Sequence, residues 1–279
     1  TLSSSSAASD VYKRQPIELL NNLKTYKNFN VIVLDQSNDK IFKKKLLKII
    51  PNIKNYQLSK KNHGFAKGIN KLVKKVKTKY FFCTQPDVSI SERSIIELKK
   101  TMQKRKSDAA IVVPSINIKR KFFKNQSYNE VITKSMIGAT FLSDKRKFEI
   151  LGMFDEDFFF YWEDIEFSNR IQNSNFKIFK NKKSIAIHQN SKSSGDSLKI
   201  DYIRSKNFIY GELMYDFKVK KIRILKILRK LIQNLVFFFF NILLFQLKAT
   251  TISFAKIIGI LKFLKFYICL LYTSDAADE

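Results

Sequence analysis

From Met153 to Arg170 the chain reads MFDEDFFFYWEDIEFSNR. Six carboxylates, Asp155, Glu156, Asp157, Glu163, Asp164 and Glu166, fall within twelve positions, and aromatic residues, including the only tryptophan, Trp162, are interleaved with them. In a chain of formal net charge +28 this local acidity is out of character. Aromatic faces beside fixed carboxylates suit a sugar-sized site: rings pack on the apolar face of a sugar while a carboxylate takes a proton. The competing reading is an amphipathic helix start, with Asp164 as an N-cap or first-turn acid and Ile165 and Phe167 facing the core. Capping accounts for one acid, but nothing in it requires Tyr161-Trp162-Glu163-Asp164.

Outward from that stretch, the two ends of the chain do not read as protein. One back-translation of Ser5–Gln15 (SSAASDVYKRQ) has a reverse complement that, read one base in, encodes Cys269–Asp278 (CLLYTSDAAD). Tails encoded by opposite strands of one DNA segment are expected of an adapter at both ends of a sequenced fragment. Residues 1–15 and 269–279 are therefore set aside as non-native tails, and the remainder is expected to be part of a longer protein. Without the tails, Lys+Arg falls from 52 to 50 and Asp+Glu from 24 to 20, leaving a net charge of +30. Cys83 is then the only cysteine, which excludes a disulfide framework and points to a reducing compartment. A charge this high suggests polyanionic partners: nucleic acid, anionic lipid or nucleotide phosphates. A Lys/Asn/Ile/Phe-heavy composition inherited from an AT-rich genome would produce it as well.

Between the tails, apolar runs alternate with helical patterns. Phe29–Asp35, Ile53–Leu58, Lys79–Thr84 and Ala109–Pro114 read as strands. Lys40–Ile50, a segment opening near Phe65 and running to about Lys77, and Ser91–Arg105 with Ser91 as N-cap read as helices. This predicts an α/β layered domain with a mainly parallel sheet. Ligands of such sheets lie beyond the C-terminal ends of strands, where Asp35 and Asp87 fall. Residues 116–130 read as a loop with a hairpin. Met136–Leu142 reads as a strand in which Gly138 and Ala139 leave room for a ligand or another backbone. Lys145–Leu151 is a short helix stopped by Gly152, and a helix over Ile165–Ser174 follows the acidic-aromatic stretch. Phe176–Phe179 and Ser184–Ile187 read as two strands, the second followed by His188, and a helix is predicted from Leu198 to Met214. Beyond Phe217 the composition changes. Lys218–Lys230 carries seven Lys/Arg among Ile and Leu, and Leu231–Leu247 is seventeen residues without a charge. That is at the lower limit for a membrane span, and Gln233, Asn234, Asn241 and Gln246 interrupt it. An interfacial helix pair with lysines at the headgroups fits as well or better; a helix pair packed on the catalytic domain is the alternative.

Four signals stand in order: a strand ending in Asp35 with its loop, Asn62-x-Gly64-Phe65-x-x-Gly68-x-Asn70, a strand followed by Pro86-Asp87, and Gly152-x-Phe154-Asp155-Glu156 through Glu163-Asp164 to Arg170, then His188. In this order and spacing they resemble the inverting family 2 glycosyltransferases of GT-A fold. The rhamnosyltransferase-like branch of cell-surface polysaccharide synthesis is the nearest match. The resemblance covers about residues 17–195. It implies Asp164 as general base, with Glu163 orienting; Asp35, Ser37, Asn62, Gly64, Phe65, Gly68 and Asn70 holding the nucleotide sugar; and Asp87 and His188 at a Mg2+ or Mn2+ ion. The acceptor or sugar pocket is assigned to Gly138, Asp155, Tyr161, Trp162 and Arg170. Departures are visible. The family's first strand is missing from the native part, Gln36 stands where Asn is usual, and Thr84-Gln85-Pro86 stands where Asn-Pro is common, so a second metal-binding Asp is absent. No Gln-x-x-Arg-Trp motif exists, which argues against a processive synthase.

The expected organisation is a catalytic domain over 16–215 lacking its first strand, and basic, apolar membrane-associating helices over 216–268. The expected function is transfer of one sugar, possibly rhamnose from a dTDP donor, to a glycan or polyprenyl-linked acceptor. The expected place is the cytoplasmic face of the inner membrane, peripheral or monotopic, on anionic lipid. The rival of another class is a basic nucleic-acid-binding protein without enzymatic activity. No nucleic-acid partner is expected, because six clustered carboxylates would repel a polyanion. A glycoside hydrolase is a weaker rival, since it needs two carboxyls facing across a bond.

Overall fold

The computed structural model describes residues 2–6, 26, 29–36, 44, 48, 55–116, 130–188 and 197–275. In chain order the elements are β1 (Leu2–Ser6), β2 (Val31–Asp35), β3 (Asn55–Leu58), α1 (Phe65–Val73), β4 (Tyr80–Thr84), β5 (Val88–Ile90), α2 (Glu92–Lys104), β6 (Ala109–Ile116), β7 (Glu130–Thr133), β8 (Thr140–Asp144), α3 (Lys145–Ile150), α4 (Glu163–Gln172), β9 (Lys177–His188), α5 (Leu198–Lys220), α6 (Ile224–Leu243) and α7 (Leu247–Asp275). The predicted helix over Lys40–Ile50 lies largely outside the described residues; Lys44 and Lys48 within it are helical. The chain divides into an α/β unit, Thr1–Glu156 with Glu163–Gly195, and a helical unit, Asp157–Trp162 with Asp196–Glu279.

In the α/β unit the strands run in the order β3-β2-β1-β4-β8-β6-β9-β5, with β7 beside β9. β3, β2, β1 and β4 are parallel. β8 then enters antiparallel to both β4 and β6, and β5 and β7 lie antiparallel to β9. β6 and β9 pair in parallel beyond β8, so six of the nine described strands run the same way: the sheet is mainly parallel, as expected, with β8, β5 and β7 set against it. An apolar run such as Ala109–Val113 records that both faces are covered, not which way the strand points.

Parts of both segments set aside as tails take up secondary structure. Leu2–Ser6, set aside as tail, pairs in the slot between β2 and β4, with Leu2 opposite Val31 and Phe82. Ladder bonds use backbone groups that every non-proline residue carries, so a slot in mid-sheet accepts a Ser-rich segment. α7 likewise continues through Cys269 to Asp275, because extending a formed helix costs little.

Ser91 caps α2 as predicted, its hydroxyl accepting from the Ser94 N–H at 3.2 Å. The predicted strand over Met136–Leu142 is displaced: residues 138–139 form a turn and β8 begins at Thr140. The two strands predicted for 176–187 are one, β9, with a register shift opposite Pro114/Ser115. The buried Asn181 holds that irregularity. Its Oδ1 accepts from Lys183 N at 2.7 Å and Ser184 N at 3.2 Å, and its Nδ2 donates to Glu97 O and the Thr101 hydroxyl.

One core packs α2 on the sheet through Leu98, Met102, Val112, Leu142 and Phe179. An aromatic cluster fills the space around α3 and the start of α4. Phe148, Phe154 and Phe167 lie 4.8–5.2 Å apart by ring centroids, and Phe81, Phe141 and Phe65 adjoin them. In the helical unit, α5, α6 and α7 share a core of Phe158, Ile209, Leu213, Met214, Ile227, Ile260 and Phe263. Among the described residues no helix is long and apolar enough to cross a membrane.

Candidate functional site

The C-terminal ends of the parallel strands and the entry to β8 fall on the same side of the sheet. Asp35 ends β2, Asp87 lies three residues past β4, and Gly138 lies two residues before β8, whose Thr140 pairs with Thr84. The Gln85 N–H donates to Ala139 O at 2.8 Å, tying the two loops together. Asp164, the second residue of α4, joins this end through the turn before β8. The Gly138 N–H donates to its Oδ2 at 2.8 Å, and the Ile165 N–H donates to its Oδ1 at 2.9 Å. A second tie holds the same turn: Met136 N donates to the Ser168 hydroxyl at 3.1 Å, which donates to Asp164 O at 2.6 Å. A Cβ on residue 138 would stand 3.3 Å from both Asp164 Cβ and the Phe65 ring. The room left by Gly138 is therefore taken by the Asp164 side chain.

Glu163 precedes it, buried at 5% exposure, and its Oε2 has no hydrogen-bond partner among the described residues. Burial pushes the Glu163 carboxyl well above the ordinary carboxylate range, and the charge of Asp164 adds to the effect. Burial also raises the Asp164 carboxyl, opposed by the Gly138 and Ile165 N–H groups. Both acids sit at a helix N-terminus, where the dipole favours negative charge, but desolvation wins. The arrangement is a half-buried carboxylate with a raised proton affinity, held from the backbone on both oxygens, as a proton acceptor requires.

Asp87, just before β5, meets His188 at the end of β9, with Val88 opposite His188 in the ladder. His188 Nε2 lies 3.3 Å from Asp87 Oδ2. Among the described residues no group of three or more His, Cys, Asp or Glu forms a metal cage. Asp35 is buried and accepts from the Tyr56 hydroxyl. Asn62 Oδ1 accepts from Gly64 N at 2.8 Å, in a turn that needs the positive φ of Gly64, 82°. Ser37 lies outside the described residues.

Several predicted site residues have structural work instead. Asn70 is buried and brackets the Phe154 backbone: its Nδ2 donates to Phe154 O at 2.8 Å and its Oδ1 accepts from Phe154 N at 3.1 Å. Phe65, at 1% exposure, belongs to the aromatic cluster, and Gly68 is buried within α1. Arg170 forms a fork with Glu166, with Nε–Oε1 and Nη2–Oε2 both 2.7 Å, and donates to Met153 O and Leu151 O. It clamps the turn after α3. Asp155 stays on the partly exposed surface beside that turn.

Tyr161 and Trp162, predicted for the same pocket as Gly138, Asp155 and Arg170, belong to the helical unit, whereas those three belong to the α/β unit. The Trp162 ring packs on Phe208 and Tyr215, and Tyr161 and Trp162 both have positive φ, 71° and 74°. For bulky residues that conformation costs about 1–3 kcal/mol each. Gly211 makes room for it, since a Cβ there would stand 2.9 Å from Trp162 Cδ1 and from Tyr161 O.

The sequence reading missed Gln36 and Glu156 as organisers. Gln36, noted only as a departure, accepts from His63 N at 2.7 Å and donates to Gly64 O at 3.1 Å, fixing the loop before α1. Glu156 pairs with Lys67 at 3.0 Å and accepts from Asn70. Although burial pushes its carboxyl up, the hydrogen bonds from Lys67 and Asn70 carry it below the ordinary value. His63 accepts from the Lys71 ammonium at 2.8 Å; burial and then the charges of Lys71, Lys61 and Lys67 hold its pKa down. The signal available in sequence was the Asx-Gly turn chemistry around residues 62–64.

Residues 14–166, more than half of the chain, match the family described as glycosyl transferase family 2. A comparison with curated protein sequences finds no match. Among solved structures, GalNAc-T7 with UDP, GalNAc and Mn2+ superposes with a TM-score of 0.55 at 13% identity, over 75% of this chain and 46% of that one. The mannosyltransferase PcManGT from Pyrobaculum calidifontis, in complex with GDP-Man and Mn2+, gives 0.55 at 14% identity, over 77% and 64%. S. aureus TarS gives 0.53 at 16% identity, over 73% and 38%. At these identities the likeness is one of fold, the GT-A fold expected from the sequence. The chain spans 38–64% of the length of these three proteins. With its sheet order, the acidic start of α4 and the family match over residues 14–166, the chain belongs to glycosyl transferase family 2.

Proposed function

We propose that the protein transfers a single sugar from a nucleotide-sugar donor to a hydroxyl of a glycan or lipid-linked acceptor, with inversion at the anomeric carbon. The observation that carries this reading is the Asp164 carboxylate, held by the Gly138 N–H at the C-terminal side of the sheet with a raised proton affinity. In the proposed step, Asp164 takes the proton of the acceptor hydroxyl. The hydroxyl oxygen bonds to the anomeric carbon from the face opposite the donor, and the bond from that carbon to the diphosphate oxygen breaks, releasing the nucleoside diphosphate. Glu163 stands beside the base; its buried Oε2, without a partner among the described residues, is placed to orient the acceptor or the Asp164 carboxyl.

The fit to a metal rests on Asp87 and His188. One carboxylate and one imidazole 3.3 Å apart, with no third protein ligand among the described residues, leave coordination positions for phosphate oxygens and water, as Mg2+ and Mn2+ sites on nucleotides require. Asp87 and His188 would hold such an ion, which supplies charge stabilisation to the departing diphosphate. GalNAc-T7 and PcManGT carry Mn2+ with UDP and GDP-Man respectively, which supports the same requirement here. Within this reading the donor sugar is rhamnose on dTDP, and the acceptor belongs to cell-surface polysaccharide synthesis.

The test is nucleoside diphosphate release from a panel of nucleotide sugars, with and without Mn2+, for wild type and Asp164→Asn. Metal-dependent release that the variant loses is expected. A folded protein that binds none of the donors would overturn the reading and favour a basic nucleic-acid-binding protein.

A further inference from the structure

The outer face of α6 is apolar along its whole length. Leu225, Leu228, Ile232, Val236, Phe239 and Leu243 follow one another at intervals of three or four, which places them on one side of the helix. They are between 43% and 75% exposed. The opposite side carries the buried Ile227 and Asn234, and Ile227 joins the helical unit's core. The turn after the helix holds Phe245 at 95% exposure with a positive φ of 53°. An aromatic side chain held outward in a conformation that bulky residues rarely adopt has no role in the unit's own packing.

We infer that this face lies in the interfacial plane of an anionic lipid bilayer, with α6 parallel to the surface. Charge selects that occupant. Lys221, Arg223 and Arg229, at the start of the strip, are exposed and form no ion pair among the described residues. They sit at headgroup height when the strip is immersed to the acyl boundary. A second copy of the chain is a poor occupant. A two-fold interface would bring these cations against their own mates, in a molecule of formal net charge +28. The helix is not apolar enough for a span, because Lys226, Arg229 and Lys230 lie within it. The inference stands on the helical unit alone and does not depend on the proposed glycosyl transfer.

The experiment is sedimentation of the full chain with phosphatidylcholine vesicles that contain or lack phosphatidylglycerol. Binding that needs phosphatidylglycerol and weakens with salt is expected. Phe239→Glu combined with Leu243→Glu, both at exposed positions, should weaken it about tenfold or more with an unchanged circular dichroism spectrum. Lys221→Glu combined with Arg223→Glu and Arg229→Glu should do the same. Bimane attached at Phe245→Cys in a Cys269→Ser background should shift to the blue when those vesicles are added. Wild-type protein that fails to sediment, binding unaffected by both sets of substitutions, or an unshifted bimane would overturn the inference. So would a dimer that the paired glutamates dissociate.

Discussion

The first turn of α4 treats its three acids in two opposite ways. Among the described residues, Glu163 and Asp164, at the N-terminus, have no cation as hydrogen-bond partner; burial raises the proton affinity of both, and backbone N–H groups hold Asp164. Two residues after Asp164, Glu166 is as buried as Glu163 but forked by Arg170, which also grips Leu151 O and Met153 O. A buried carboxylate matched by a guanidinium is a fastener. A buried carboxylate without a countercharge costs stability and is retained where its proton affinity is used. One helix thus divides what holds the site from what acts in it by the partner each acid finds.

The separation can be broken by substitutions in either set. Asp164→Asn should cut nucleoside diphosphate release about 10²–10⁴-fold while leaving donor affinity and thermal stability close to wild type; equal loss of donor binding would merge the two roles. Arg170→Met should instead cost about 2–3 kcal/mol in urea unfolding, less than the full penalty for breaking a buried pair because Arg170 is partly exposed. Turnover per folded molecule should persist. Gly138→Ala should lower turnover about tenfold, because the new Cβ must displace the Asp164 carboxylate or the packed Phe65 ring. A rate equal to wild type would show that the Gly138 tie is not needed.

The smallest effect is expected from Glu163→Gln, and its sign is diagnostic. A carboxyl whose folded pKa is raised stabilises the fold below its unfolded pKa, and that contribution is lost as pH rises through the folded pKa. Removing the charge should therefore raise the melting temperature at neutral and alkaline pH and leave it unchanged in acid. The pH–rate profile has the matching sign: Asp164 must be ionised, so activity should fall on the acid side at a higher pH than for an ordinary aspartate.

Much of the α/β unit was legible one segment at a time. Continuous apolar runs marked β2, β4 and β6, Ser91 marked the start of α2, and Gly152 marked the stop of α3. The direction of β8 was not, because a strand buried on both faces reads alike in either direction. Nor was the fate of the acidic-aromatic stretch, which read as one site. Phe154 enters the core of the α/β unit, and Phe158 enters the core of the helical unit four residues later.

By itself the sequence determined the residue types, their order, and the local chemistry that depends on near neighbours: the strand runs, the caps, the Asn62–Gly64 turn and the paired acids 163 and 164. Tertiary structure alone decided which polar groups are already committed. Asn70 meets the Phe154 backbone across 84 residues, and Gly138 reaches Asp164 across 26. Tertiary structure also decided which apolar face of α6 stays uncovered. A side chain's hydrogen-bonding capacity is written in its type, but whether that capacity is spent depends on atoms brought together from distant parts of the chain.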